Sequence, residues 1–312
     1  MVGVKKRKKS LTDMADTPID KIFLGFIYVF LGLALVITLY PLIYIISASI
    51  SDPLYVNSGQ MWLWPMGITF EGYELIFANS DIWQGYMNTI IYTILGTAIN
   101  LLVTIPCAYA LSRPEFQGKK FFMTFIMITM FISGGIIPTF ILIQSLGMLD
   151  SIWALILPGA TSVFNIVVTR TFFNSNIPRE MEEAAIIDGC SDFMMFIKII
   201  LPLSMPIIAV MALFFGVGHW NSWFGAMIFL TSRSLFPLQL ILREILVMAE
   251  MFSMPEAGAM DAEAAARAHS RQQLVQVIQY GVMIVSTLPV IMIYPFLQKY
   301  FVQGVMIGSL KG

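Results

Sequence analysis

Charge is what this chain has least of: Asp, Glu, Lys and Arg supply 12% of its 312 residues against 58% apolar residues, and mean hydropathy is +0.80. That excludes an ordinary soluble domain, in which about a quarter of the residues are charged. Histidine occurs only as His219 and His269, with no metal-ligand spacing around either. The two cysteines, Cys107 and Cys190, lie far apart and suggest no disulfide framework. A G-x-x-x-x-G-K-S/T loop, a G-x-S-x-G elbow and a Cys/His pairing are all missing, so the chain is expected to be no enzyme and to bind no cofactor itself. The basic tail from Lys5 to Lys9 has no interleaved aromatic residues and reads as a cytoplasmic anchor, not a nucleic-acid contact.

What is present is a series of long uncharged stretches. Six of them, 22–51, 82–112, 121–149, 151–169, 199–232 and 272–298, can cross a hydrocarbon core, which takes about 20 helical residues. The stretch 53–70 does not qualify, because Pro53, Gly59, Pro65 and Gly67 break it. The expected fold is all-α and polytopic, with six transmembrane helices at about 22–50, 84–111, 121–143, 152–170, 203–231 and 273–298. The first span is too long for a cleavable signal and is expected to be retained. Residues 1–21 and 304–312 are expected to form tails around a six-span domain at 22–303, with a polar loop at 174–202 and another at 233–271.

Lys and Arg fix the orientation. Arg113, Lys119, Lys120, Arg170, Arg179, Lys198, Lys299 and Lys311 lie on the same side as the basic tail and Lys21, while Arg233, Arg243, Arg267 and Arg271 lie on the other. Both termini and the 174–202 loop are therefore expected in the cytoplasm. No Asp, Glu, Lys or Arg lies within the six uncharged stretches, which argues against a proton- or sodium-coupled secondary transporter, where such groups are kept for function. His219 is the one titratable candidate of that kind.

The 174–202 loop carries the most specific pattern. Asn176, with Pro178 just inside and Glu180, Glu182 and Glu183 in the first turn, predicts a helix start; Gly189 predicts its stop, and Ser191-Asp192 a second start. Two short helices should meet at a glycine corner, with Ala184 and Ala185 as a small-residue face for a partner and the Glu183 carboxylate as an anchor for its Arg or Lys. At the same time an ordinary capped hairpin would satisfy the capping signals alone. The full run, Glu183-Ala184-Ala185, three residues, Gly189, nine residues, Ile199-x-Leu201-Pro202, resembles the cytoplasmic loop of permease subunits of ATP-binding-cassette importers.

The resemblance implies a type I importer permease fold. It also implies a second homologous permease, two ATPase subunits holding ATP and Mg, and an extracellular solute-binding protein, in the cytoplasmic membrane of a bacterium. Coupling to the ATPases would fall to Glu182, Glu183, Ala184, Ala185, Asp188, Gly189, Ile199, Leu201 and Pro202. Asn88-Thr89, Ala108 to Arg113 and Trp220-Asn221 look like carbohydrate permeases of the maltose type. Ser133 to Pro138 and Pro237-Leu238-Gln239 look like the branch importing complex oligosaccharides or polysaccharide fragments. A non-sugar solute is the alternative.

Candidates for the substrate path are Asn88, Gly134, Gly135, His219, Trp220, Asn221 and Trp223. Trp rings offer faces to sugar C–H groups, while His and Asn supply hydrogen bonds. All six tryptophans nevertheless map to the outer side, which fits an interfacial aromatic belt as well. Gly134, Gly135 and Pro138 should break the third span, either toward the path or as a packing kink. Pro237 to Phe252 reads as an apolar helix along the outer surface. In maltose-type permeases the loop that follows reaches the binding protein; the matching candidates here are Glu256, Asp261, Glu263 and Arg267, with a plain solvated loop as the alternative.

Overall fold

The structure, a computed structural model, describes residues 18–253, 278–293 and 295. Among them every regular element is helical. Helix α1 (Pro18–Ser49) is apolar on all sides and exposed along almost its whole length, only Ser47, Ala48 and Ser49 being buried. A helix of that composition needs lipid or another protein around it. After the short α2 (Pro53–Asn57) and α3 (Glu71–Ala78), α4 (Ser80–Ser112) runs through the middle of the molecule. Asn79 caps its start, accepting a hydrogen bond from Asp81 N, and small or polar residues stud its buried face: Gly85, Asn88, Thr89, Gly96, Asn100, Thr104 and Ala108. These let neighbouring helices approach closely where the hydrophobic effect gives no drive for association.

The third expected span is broken into α5 (Lys119–Phe131) and α6 (Ile136–Ser145), which meet at 114°. Gly135 sits at φ 80° and ψ -179°, a region essentially open only to glycine and costing a side-chain-bearing residue about 1–3 kcal/mol, and Thr139 restores part of the lost bonding by donating to its carbonyl. A Cβ added at Gly135 would meet nothing within 4 Å, and Phe131, Ile132 and Ile137 around it are exposed. Among the described residues no other helix covers the break.

Two further spans are also interrupted. The fourth consists of α7 (Trp153–Ile156), an irregular turn at Pro158-Gly159, and α8 (Val163–Asn176). Helix α9 (Arg179–Ile187) and α10 (Asp192–Leu203) form the polar loop; α11 (Met205–Trp220) and α12 (Phe224–Phe229) make the fifth. Then α13 (Leu238–Ser253) lies where an outer-surface helix is expected, and α14 (Ile278–Ile293) is the described part of the sixth. Among the described residues only α1 and α4 are unbroken helices long and apolar enough to cross a membrane, with two more if each bent pair counts as one span. Six unbroken helices are thus not what the described residues form; Gly134-Gly135 and Pro158-Gly159 interrupt the third and fourth, because glycine and proline weaken or remove the i→i−4 ladder, and the turn at Asn221–Trp223 interrupts the fifth.

Two cores stand at opposite ends of α4. At the Glu183 end, Ile105, Ala108 and Leu111 pack with Ile166, Phe173, Ala185, Met195 and Ile200; at the other, Ile76 and Ile82 pack with Trp220, Leu238, Ile241 and Val282.

Candidate functional site

The polar loop folds as a glycine corner. Its first helix starts at Pro178, not at Asn176: Asn176 is the last residue of α8, and its side-chain amide turns back to Phe172 O at 3.2 Å. Proline fixes φ for the extended position before the helix, so the start shifts to the residue that is already constrained. At the far end Gly189 adopts φ 76°, its N–H donates to Ile186 O, and Cys190 N–H donates to Ala185 O. Those two bonds make a Schellman cap, the left-handed stop expected of Gly189. Ser191 then caps α10, its hydroxyl oxygen accepting from Met194 N.

Helix α10 carries the remainder of the motif. A π-helical segment covers Phe196–Ile200, and Leu201 N–H accordingly reaches back to Phe196 O. Pro202 and Pro206 each lack an N–H, and at the Ser204 between them the chain bends by 78° into α11. Ser204 is fully buried; its hydroxyl donates to Ile200 O at 2.7 Å, and its backbone N–H donates to the same carbonyl at 3.0 Å, so the hydroxyl finds its partner within the bend. Ile199 and Leu201 pack against the core beneath, so the Ile-x-Leu-Pro end of the motif holds a joint between the corner and the fifth span.

The corner has two faces, and the helix phase divides the expected small-residue face between them. Glu183, Ala184 and Ile187 point outward, Ile187 being 85% exposed, and Phe193 and Ile197 continue the apolar surface on α10. Asp188 is exposed beside the corner glycine. Ala185 instead faces the core, one turn of helix not being enough to bring residues i and i+1 to the same side. Glu182 also turns inward. It forms an ion pair with Arg113, the residue after the last turn of α4, with the two side chains 12% and 15% exposed. The Arg113 guanidinium lies over the Tyr109 ring at 4.5 Å, and burial lowers its pKa while the charges of Tyr109 and Glu115 act against that shift. Tyr109 in turn touches Phe173 of α8 and Phe196 of α10, at 5.5 and 5.1 Å between ring centroids. Arg170 donates to Leu111 O at 2.9 Å and Lys119 to Ser112 O at 3.2 Å, so cations cap the orphan carbonyls of α4. Beside this group lies a cleft of about 470 Å³ lined by Arg113, Glu115, Arg179, Glu182, Glu183 and Asp192, among others.

The candidates for the substrate path separate differently. Asn88 is buried, and its amide donates to Ser234 O at 2.8 Å and Phe236 O at 3.0 Å. Gln84 and Tyr92 donate to Ser234 O and Leu235 O, and Leu238 N–H donates to Thr89 Oγ1 at 2.8 Å. One face of α4 thereby holds the backbone of 234–238 as a strap. His219 bonds through Nε2 to Asn100 Oδ1 at 2.7 Å, its ring lying against Gly96, and Asn100 also donates to Gly159 O. Trp220 is buried and donates to Ser286 O. Asn88, His219 and Trp220 thus serve helix packing within this chain. Asn221 is exposed with its amide folded back on Val217 O, and the Arg243 guanidinium lies 4.1 Å over the Trp223 ring. Gly134 and Gly135 are exposed at the break of the third span. Glu256, Asp261, Glu263 and Arg267 lie outside the described residues.

Asn100, Gly96 and the pairing role of Arg113 escape the sequence pattern. Their signals, a lone Asn in the middle of an apolar span with a glycine one turn before it and a cation directly after the span, become specific only once the partner helices are known. The cavity between α4, α11 and α14, about 450 Å³, is lined by residues such as Ile94, Leu101, Leu213, Trp220 and Ile293. A lining of that kind suits an apolar occupant, not a hydroxyl-rich one.

Comparisons with known proteins converge on one class. The family described as binding-protein-dependent transport system inner membrane component matches residues 82–307. The polygalacturonan/rhamnogalacturonan transport system permease protein of Bacillus subtilis (strain 168) is 37% identical over 293 residues, covering 94% of this chain and 99% of that protein. An arabinooligosaccharides transport system permease protein of Halalkalibacterium halodurans is 27% identical over 281 residues, covering 88% and 92%. The crystal structure of a bacterial ABC transporter involved in the import of the acidic polysaccharide alginate contains a chain that superposes with a TM-score of 0.80 at 34% identity, over 91% of this chain and 98% of that one. This multi-pass membrane protein therefore belongs to the binding-protein-dependent transport system inner membrane components.

Proposed function

We propose that the chain is the permease subunit of an ATP-driven importer for an oligosaccharide or polysaccharide fragment, delivered by an extracellular binding protein. The observation that carries this reading is the corner at Gly189: an outward Glu183, Ala184 and Ile187 on a capped helix, joined through the π-helical α10 to the fifth span. It offers an anchor charge in an apolar surface, the arrangement expected where a motor protein docks. ATP and Mg would be held by two ATPase subunits, and the permease itself is a non-catalytic membrane component. The substrate class is supported by the relatives, several of which are named for oligosaccharide transport.

A second permease completes the pathway. Helix α1 and the third-span break expose apolar surface that no other described residue covers, and the cavity between α4 and α11 is too apolar for a saccharide. Placing the Glu183 corner with both termini in the cytoplasm follows the distribution of Lys and Arg. ATP-driven closure of the ATPases would then move the corner and exchange inward for outward access. The test is Glu183→Lys in the reconstituted transporter. Insertion and assembly should be kept while ATP hydrolysis no longer drives uptake; uptake at the wild-type rate would refute the assignment.

A further inference from the structure

We infer that α4, the second span, is the rod that carries motion of the Glu183 corner to the opposite face, gripped at the corner by the Arg113–Glu182 pair and at the far end by the Asn88 strap. This rests on the proposed role of the corner as the docking site and adds how its movement is transmitted.

Three features set the pair apart from an ordinary surface ion pair. Glu182 lies on α9 itself, one residue before the docking Glu183 and about 100° round the helix from it, so a push on the exposed side of α9 is passed on through its inward-turned neighbour. The pair is largely enclosed, which makes separation costly because each partner would be left as an uncompensated charge. The second carboxylate oxygen of Glu182 has no hydrogen-bond partner among the described residues, so Arg113 is the single attachment. Tyr109 completes the grip by lying between Arg113 and the rings of Phe173 and Phe196, on the helices that enter and leave the corner.

The far end is held just as specifically. Gln84, Asn88, Thr89 and Tyr92 occupy one face of α4 and engage consecutive backbone groups from Ser234 to Leu238, while Arg233 pairs with Asp81 at the start of α4 and with Glu244 of α13. Midway, Asn100 ties the rod to α11 through His219. Segment 231–238 and α13 cannot shift relative to α4 without breaking these bonds together. Asn88 is in this account a positioning residue that touches no substrate.

The experiment uses the full transporter, with its partner permease, ATPases and binding protein, in nanodiscs and proteoliposomes. Glu182→Gln, Arg113→Gln and Asn88→Ala are compared for uptake per ATP hydrolysed, for stimulation of ATPase activity by the binding protein, and for the substrate KM. Glu182→Gln keeps size and removes only the charge, so complexes that assemble report on transmission and not on folding; the ratios are taken per assembled complex. Expected is a loss of uptake per ATP of roughly tenfold for the corner variants, within the usual span of coupling free energies, with basal ATPase activity and KM unchanged. Asn88→Ala should lose binding-protein stimulation in the same way. Wild-type uptake per ATP in Glu182→Gln and Arg113→Gln, while Glu183→Lys uncouples, would overturn the rod and leave the docking site standing. A raised KM with an unchanged ratio in Asn88→Ala would overturn the far-end grip and return Asn88 to the substrate path. Absence of ATP-dependent uptake by the wild-type complex would overturn the docking reading and the rod with it.

Discussion

Gly96→Ala should be among the most damaging single-methyl changes in this protein, and its cost can be worked from one contact. A Cβ at Gly96 would lie 2.4 Å from Nε2, 2.5 Å from Cε1 and 2.8 Å from Cδ2 of His219, all in the face of one rigid ring. Restoring ordinary contact requires the ring to recede by about 1 Å, which would stretch the 2.7 Å bond from His219 to Asn100 beyond the roughly 3.2 Å limit of a hydrogen bond. The lost interhelical bond contributes about 0.6–1.7 kcal/mol in a membrane and the overpacking about 1–3, so the sum is about 2–5 kcal/mol, with sterics the larger part. The assay is a double-mutant cycle with His219→Ala, followed by titration of the detergent-solubilised chain with SDS. With the ring removed, the added methyl meets no obstacle and gains the helix propensity of Ala over Gly, about 1 kcal/mol, so the penalty should vanish or reverse. An equal penalty in both backgrounds, or none in the wild type, would refute the packing argument.

Two further outcomes follow from local geometry. Gly189→Ala forces a side chain into the left-handed region at φ 76° where nothing else crowds it, so the cost is conformational alone, about 1 kcal/mol, read as faster proteolysis of 186–193 with the rest of the chain unaffected. Asp150 accepts hydrogen bonds from the Ser232 hydroxyl and from the amides of Ser232 and Thr231, which lower its pKa from the ordinary 3.8. A depressed pKa means the clasp is fully present above 3.8 and is lost only as pH falls through the lower folded value. Protection of Thr231 and Ser232, taken relative to intrinsic amide exchange at each pH, should therefore persist down to that pH, and protection already lost near neutrality would contradict it.

The capping of the corner was legible because it is local. Gly189, Ser191 and the acidic first turn each act within four residues of themselves, and the structure differs only in moving the start from Asn176 to Pro178. The breaks at Gly134-Gly135 and at the prolines around Ser204 were legible for the same reason, although their angles were not. Which way Glu182 and Ala185 point was not legible, since two adjacent helical residues differ by about 100° and only the position of the core decides which is inside. Asn88, His219 and Trp220 show the same limit. A polar or aromatic residue in an apolar span has the composition of a binding group and of a helix-packing bond alike, and the choice lies with Ser234, Asn100 and Ser286, between 66 and 146 residues away along the chain.

The sequence by itself therefore determined the class: an apolar, polytopic, all-α chain, with its charge kept out of six long stretches and the Glu-Ala-Ala motif in one polar loop, because composition, period and caps are properties of neighbours in the chain. Only the tertiary structure decided how that motif is wired. Ion pairs and interhelical hydrogen bonds join residues far apart in sequence, and in a membrane, where burial of apolar surface does not choose between helix partners, those contacts and the close approach at Gly85 and Gly96 set which helix moves with which.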